Sequence, residues 1–312
     1  ALDTFDPQLV LKTTPARVQA SALPRTRLSS EAPEFSERAV IAVQAPSGFG
    51  KTSLLAQWRR EALQQGAAVA WLTLDEHDDD VRLGQGLVLA MRLGSGRTGF
   101  GRLMRRADLQ PGGLEVLTGW LAEVADMATP ALLILDDAHT LPESTIASGL
   151  SYLLQNAPAN LKVVVASRQP IDLPIADLMV HGGFALVNTA QLRLRLAETI
   201  AVATARFGAR IDSDTCVRLH DLTEGWPLGL QLVMATVESA PNLREAVIGF
   251  SVRSGDIQRY FVERLVARLP EPMAQFLTRI CFVDALHPQL CRAITRRDDS
   301  SQMLARLRDT TP

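Results

Sequence analysis

The chain has 312 residues, of which 47% are hydrophobic and 21% charged, and 32 Lys+Arg against 34 Asp+Glu leave a formal net charge of −2. That balance excludes a disordered tail and a fibrous repeat, and no run approaches the ~18 apolar residues that a membrane span requires. Near-neutral charge also argues against a chain that binds nucleic acid along its whole surface.

Domains of about 100–200 residues make two or three the expectation. Cys216, Cys281 and Cys291 are widely spaced with no C-x-x-C, so neither a disulfide framework nor a zinc site is read, and a reducing cytoplasm is expected. The start at Ala1 shows no basic segment followed by an apolar one, so no signal peptide is read.

Residues 1–36 are polar and dotted with Pro7, Pro15, Pro24 and Pro33, which predicts an extended arm with little regular structure. From Ala39 onward short apolar runs alternate with helical patterns. The runs Ala39–Val43, Ala68–Leu72, Ala131–Leu135, Lys162–Ala166 and Phe184–Val187 have the continuous apolar character of strands buried on both faces. Leu54, Leu55, Trp58 and Ala62 mark one helical face, and Leu114, Leu117, Leu121 and Val124 another. The alternation predicts an α/β domain over 37–190, a parallel sheet with helices on both faces. Beyond it, short helices are expected at 197–207, 213–222, 227–238, 257–268, 272–282 and 288–295, with Pro227, Pro272 and Pro288 in first turns. Boundaries near 190 and 250 divide this half into a helical domain and a last, smaller one.

Three elements carry chemistry. Ala45-Pro46-Ser47-Gly48-Phe49-Gly50-Lys51-Thr52 follows the first strand and precedes a helix. It is a P-loop in which Ala45 replaces the first glycine. Gly48 and Gly50 let the backbone curl around phosphates, together with Pro46, Ser47, Phe49 and Ser53. Lys51 would reach the β- and γ-phosphates and Thr52 would ligate Mg²⁺. The strand Leu132–Leu135 ends in Asp136 and Asp137, a Walker B arrangement: Asp136 for Mg²⁺ through water, Asp137 for the attacking water. Ser167 and Arg168 end the next strand, where Arg168 could read the γ-phosphate. The blander readings are a glycine turn, a turn-favouring aspartate and a surface arginine.

Together with Trp71-Leu72-x-Leu74-Asp75 and the following x-His139, these motifs resemble the STAND class of P-loop ATPases. The closest likeness is to the N-terminal part of the large ATP-binding LuxR-type transcription regulators, the MalT-like group. Leu23-Pro24-Arg25-x-Arg27-Leu28 resembles the segment that packs near the base, which makes Arg25 a candidate contact. Gly225-Trp226-Pro227-x-Gly229-Leu230 resembles the GxP motif, whose proline (Pro227 here) lies against adenine. Phe276–Cys291 resembles the winged-helix region, and the likeness covers roughly residues 8–308.

The resemblance implies a cytoplasmic switch that holds ADP, exchanges it for ATP when an inducer arrives, self-associates and resets by slow hydrolysis. It also implies that a sensor and a DNA-binding helix-turn-helix lie beyond residue 312, so the chain reads as a nucleotide-binding piece ending inside a truncated winged helix (251–312). No membrane contact is expected. The alternatives are a regulatory module joined to another enzyme such as a serine/threonine kinase, a nucleotide-binding scaffold without hydrolysis, and a more active AAA+ type ATPase.

Weaker features have plain readings. Asp75–Asp80 reads as a solvated loop rather than a metal site, and Gly94–Gly113, with Arg97, Arg102, Arg105 and Arg106, as a mobile basic loop. His139 reads as a structural hydrogen-bonding residue, Trp226 as core or as a stacking group, and the cysteines as small buried apolar residues.

Overall fold

The computed structural model describes residues 7–17, 23–101, 113–173, 176–180, 182–249, 269–280 and 286–310. The chain divides into two compact units, Ala1–Ala45 with Lys51–Asn188, and Pro46–Gly50 with Thr189–Pro312.

In the first unit five strands form one parallel sheet: β1 (Val40–Gln44), β2 (Ala68–Thr73), β3 (Ala131–Asp136), β4 (Leu161–Ser167) and β5 (Phe184–Val187). Their order is β2-β3-β4-β1-β5. Every strand lies where the apolar runs predict it; the inner strands bury both faces and so cannot alternate with polar residues, while the edge strand β5 is only partly buried. β3 is buried at all its positions. The helices α2 (Lys51–Gln64), α3 (Asp80–Ser95) and α4 (Gly113–Ala125) supply much of the cover. Leu83, Leu87 and Met91 join Leu117, Trp120 and Val124 over Leu133 and Leu135. Each such side chain contributes about 1.5–3 kcal/mol by leaving water.

Helix α3 was not expected, because its own glycines weaken the helical signal. Gly94 is there for close approach: a Cβ would fall 1.9 Å from the Val69 carbonyl oxygen on β2. Asp79 caps the helix by accepting from the Arg82 amide, and Gly96 ends it in the left-handed conformation.

Three expectations are corrected here. The first is the arm, which carries regular structure: α1 (Pro7–Lys12) and a 3₁₀ turn (Thr26–Leu28). Leu28 and Phe35 are buried, Trp58 Nε1 donates to the Leu28 carbonyl at 2.6 Å, and the rings of Phe35 and Trp58 lie 5.5 Å apart. The second is the acidic stretch, which is only in part a solvated loop: Glu76 and His77 are exposed, but other members are held. Asp78 is buried and ion-paired with Lys12, which also reaches Asp75, while Asp80 accepts from the Ser148 hydroxyl and the Gly149 amide. A buried carboxylate needs such a partner. The third is the basic loop, which is ordered at its start. Arg92 Nε donates to the Phe100 carbonyl, the Gly101 amide donates to Glu123, and Phe100 is buried against Trp120 rather than offering a stacking surface. Arg102, Arg105 and Arg106 lie outside the described residues.

After α5 (Glu143–Thr145), α6 (Ser151–Gln155) and α7 (Ala176–Val180), the second unit is helical. It holds α8 (Thr189–Leu192), α9 (Leu196–Phe207), α10 (Ser213–Thr223), α11 (Pro227–Val237) and α12 (Leu243–Ile248). They enclose Phe207, Cys216, Leu219, Leu230 and Met234. Asp212 caps α10 through the Thr215 amide, and Pro227 occupies the first turn of α11. A second core of Met273, Phe276, Cys291 and Met303 joins α13 (Glu271–Ile280), α14 (Pro288–Thr295) and α15 (Ser300–Thr310). α12 and α15 were not anticipated; the helix expected at 257–268 and Cys281 lie outside the described residues.

Trp58→Phe removes the indole N–H together with part of the buried ring and leaves the Leu28 carbonyl unmet, so stability should fall by about 1–3 kcal/mol or more. Trp58→Ala should cost about 3–5 kcal/mol. Urea unfolding followed by fluorescence and circular dichroism checks both, and a Trp58→Phe protein as stable as the parent would show that the arm is not anchored there.

Candidate functional site

The predicted chemical residues of the first unit gather at the carboxyl ends of β1, β3 and β4. Because β4 lies between β3 and β1, its tip, Ser167–Arg168, stands between the loop strand and the acid-tipped strand. The register is Gln44 beside Ser167 and Leu135 beside Val165.

Lys51 opens α2 and is buried; its Nζ donates to the Ala45 carbonyl at 2.6 Å. Burial lowers its pKa to about 8, the nearby Arg168 charge adds to that, and Asp137 and Asp136 oppose it. One helical position on, Thr52 Oγ1 donates to Asp136 Oδ2 at 3.1 Å. Asp136 is itself buried, and burial followed by the neighbouring Asp137 raises its pKa. Its other oxygen accepts from the Asp137 amide at 3.0 Å.

Asp137 takes a left-handed conformation, φ 56° and ψ 36°. Aspartate is among the residues that tolerate it, at about 1–2 kcal/mol. Thr140 holds the turn: its amide and hydroxyl donate to the Asp137 carbonyl at 3.0 and 2.7 Å, and the hydroxyl also lies 2.9 Å from the Leu74 carbonyl oxygen. Arg168 Nε lies 3.7 Å from Asp137 Oδ1, so the arginine is not merely a surface group. Ser167 is buried and its hydroxyl donates to the Gln169 carbonyl at 2.7 Å. His139 lies 3.8 Å from the same Asp137 oxygen and its Nδ1 makes no hydrogen bond, contrary to the structural role expected of it. Burial lowers its pKa, Asp137 opposes this, and Arg168 and Lys51 reinforce it.

Other predicted residues lie apart from this cluster or in the second unit. Arg25 meets Gln57 on α2, its amide donating and its carbonyl accepting at 2.7 and 3.3 Å. Ser53 is exposed. Pro46–Gly50 belong to the second unit. There Gly48 and Gly50 have φ of 82° and 81°, as a curled phosphate loop requires. The Leu228 amide donates to the Gly48 carbonyl at 3.1 Å, and buried Phe49 lies 6.5 Å from the ring of Trp226 and 5.8 Å from the Arg193 guanidinium. Thus Trp226 and Leu228, on either side of Pro227, touch the loop. Sequence reasoning named Pro227 and weighed Trp226 as core or stacking group, but missed Leu228 and gave Arg193 no contact with the loop; the spacing of Gly225-Trp226-Pro227 pointed to this segment.

Among the described residues no cluster of three or more His, Cys, Asp or Glu could hold a metal. Thr52 and Asp136 offer two hard oxygens side by side, which suits Mg²⁺, an ion that keeps waters and phosphate oxygens as its other ligands. Among the same residues no helix is long and apolar enough to cross a membrane.

Residues 262–311 match the family described as the MalT winged helix domain. Over 303 residues the chain is 27% identical to the HTH-type transcriptional regulator MalT of Serratia proteamaculans, covering 94% of this chain and 32% of that protein. These likenesses support a MalT-like fragment of the STAND class of P-loop ATPases. Serine/threonine-protein kinase PknK of Mycobacterium tuberculosis is 28% identical over 278 residues, or 87% of this chain and 25% of the kinase. The MalT-like chain therefore spans about a quarter to a third of these curated relatives. A Walker-type ATPase of Pyrococcus abyssi shares its fold, with a TM-score of 0.55 at 13% identity over 95% of this chain and 92% of that one. These findings show an ATPase fold and a likeness to the matching part of regulatory proteins.

Gly48 and Gly50 separate conformational strain from crowding. Both have positive φ, but a Cβ at Gly48 would meet Leu228 Cδ2 at 2.8 Å and Trp226 Nε1 at 2.9 Å, while one at Gly50 meets nothing within 4 Å. Gly50→Ala should cost about 1–2 kcal/mol of stability, and Gly48→Ala clearly more. Chemical denaturation of the two variants measures the difference; equal losses would mean that the Trp226–Leu228 contact does not constrain the loop.

Proposed function

We propose that this MalT-like chain is an ATP/ADP-binding switch of a signal-responsive regulator, with slow hydrolysis as its reset. The observation that carries the reading is the Thr52–Asp136 hydrogen bond beside buried Lys51, flanked by Asp137 and Arg168. Four charges, two of each sign, sit in a partly dry site where electrostatic effects are larger than in water.

In this reading the amides of Pro46–Gly50 face the phosphates, with Pro46 itself lending no N–H, and Lys51 gives up the Ala45 carbonyl to reach the β- and γ-phosphates. Thr52 and Asp136 would hold Mg²⁺, which neutralises phosphate charge when bound. Asp137 takes a proton from water as its oxygen bonds to the γ-phosphorus; the bond to the ADP oxygen breaks and the proton passes to solvent. Arg168 contacts the terminal phosphate and so distinguishes ATP from ADP. Pro227 is proposed to lie against the base, with Arg25 and Ser53 as further candidate contacts on the resemblance alone. Turnover well below the ~10 s⁻¹ of metabolic enzymes fits a switch. Self-association in the ATP state, and DNA and inducer contacts through parts outside residues 1–312, belong to the same proposal, as does action in the cytoplasm. The similarity to a kinase supports a second reading, the same switch joined to a different output; the sequence flanking the module in the whole protein separates the two.

Lys51→Ala should weaken Mg-ATP and Mg-ADP binding about thirtyfold or more in titration calorimetry, since one partner of a buried charged contact is removed. Asp137→Asn should leave both affinities nearly unchanged and slow single-turnover hydrolysis by about a hundredfold or more. Binding that survives Lys51→Ala undiminished would overturn the site assignment. Denaturing the purified chain and identifying any released nucleotide by chromatography shows which form is held at rest.

A further inference from the structure

At the opposite end of the sheet from Lys51 and Asp136, the amino ends of β1 to β4 border a cavity of about 520 Å³. That volume falls within the ~300–1,000 Å³ of small-molecule sites. Its floor is apolar: Trp58 and Ala62 of α2, Leu132 of β3 and Val164 of β4. Residues 30–31 and 36–38 form one wall.

Into this setting the sheet places a lysine. Lys162 of β4 pairs with Leu132 of β3, and Val164 follows two residues on, so all three share one face of the sheet. Central parallel strands are apolar on both faces, and Lys162 interrupts such a run. Its Nζ donates to the Phe35 and Ser36 carbonyls at 3.0 and 2.8 Å. An ammonium has three N–H donors, so one is left over. Both partners are neutral, and burial pushes the lysine's pKa down. Among the described residues no carboxylate is paired with it: of the two acids on the wall, Glu31 accepts from Gln65 and Glu37 is exposed. Arg38, the other cation there, is engaged by the Glu34 and Gly182 carbonyls. A half-buried charge without a counter-charge is costly, and two carbonyls alone do not require one.

We infer that this cavity binds a small monocarboxylate with an apolar body: the carboxylate accepts the remaining Nζ–H of Lys162, and the body covers Trp58, Ala62, Leu132 and Val164. One carboxylate matches one uncompensated ammonium, whereas a phosphate dianion would call for several more donors. The site is independent of the nucleotide reading above. α2 begins at Lys51 in the charged cluster and carries Trp58 and Ala62 to the cavity, so the two sites lie apart on one helix and can be filled together.

The test uses the purified chain with naphthylacetate, indoleacetate and octanoate, each beside its uncharged amide. In methyl and indole NMR, the acids should shift the signals of Ala62, Leu132, Val164 and Trp58, and Mg-ADP should leave those shifts in place. By titration the acids should bind at least about tenfold tighter than their amides, as a charge-assisted contact predicts. Lys162→Met keeps the apolar stem and removes the charge, and should bring each acid and its amide within about twofold of one another. If that variant does not fold, Lys162→Gln, whose amide can still meet a carbonyl, takes its place, and the shifts in the parent locate the site in either case. Four results each overturn the inference: no shift at the cavity with any of the acids, displacement by Mg-ADP, which would put the acids at the phosphate loop, amides that bind the parent as tightly as acids, or a preference for acids that survives the loss of the Lys162 charge.

Discussion

The place of β4 between β3 and β1 is the constraint on which the site of the first unit depends. Parallel pairing brings the carboxyl ends of neighbouring strands level, with strands about 4.8 Å apart. A strand that paired elsewhere would carry Arg168 away from Asp137. With the order observed, the tip of β4 lies between the loop strand and the acidic tip, and Arg168 is within ion-pair distance of Asp137. The same register leaves Asp136 beside the first turn of α2, where Thr52 meets it.

Those positions set up the electrostatics. Lys51 and Asp136 are both shifted toward their neutral forms, and for both burial is the largest cause. Opposite charges within the cluster partly offset that penalty, as they must where water is scarce. A phosphate chain with its metal would add charge of both signs to a site already balanced between them. The left-handed turn at Asp137 serves the same end: it lets two consecutive aspartates leave one strand yet face different partners, Thr52 for the first and Arg168 with His139 for the second.

The arm and the acidic stretch illustrate how a polar sequence can be structural. Lys12 is distant in sequence from Asp75 and Asp78, and each alone looks solvated. Paired, Lys12 and Asp78 are buried with little exposed surface. The same logic applies to Leu28 and Phe35, which are isolated apolar residues in a proline-dotted segment but close over Trp58 on α2. Composition read along a window cannot see a partner that lies tens of residues away.

Much of the α/β unit was legible because buried parallel strands are apolar over most of their length, and a P-loop or an acid-tipped strand is a local pattern whose chemistry follows from adjacent residues. Lys51, Thr52, Asp136 and Asp137 could be assigned roles for that reason, and Pro227 placed a helix start. Features set by distance in space were not legible. α3 was hidden by glycines that β2 demands through close contact at Gly94. Leu228 and Arg193 reach the loop only because the chain returns to it, and His139 became notable only once its ring nitrogen was found buried and unmet beside Asp137. The sequence by itself determined the strands, the loop chemistry and the two acids, because these depend on neighbours in the chain. Which charges face each other, which polar groups are buried and which residues hold the loop were decided by the tertiary structure, since burial and pairing are properties of residues brought together from far apart.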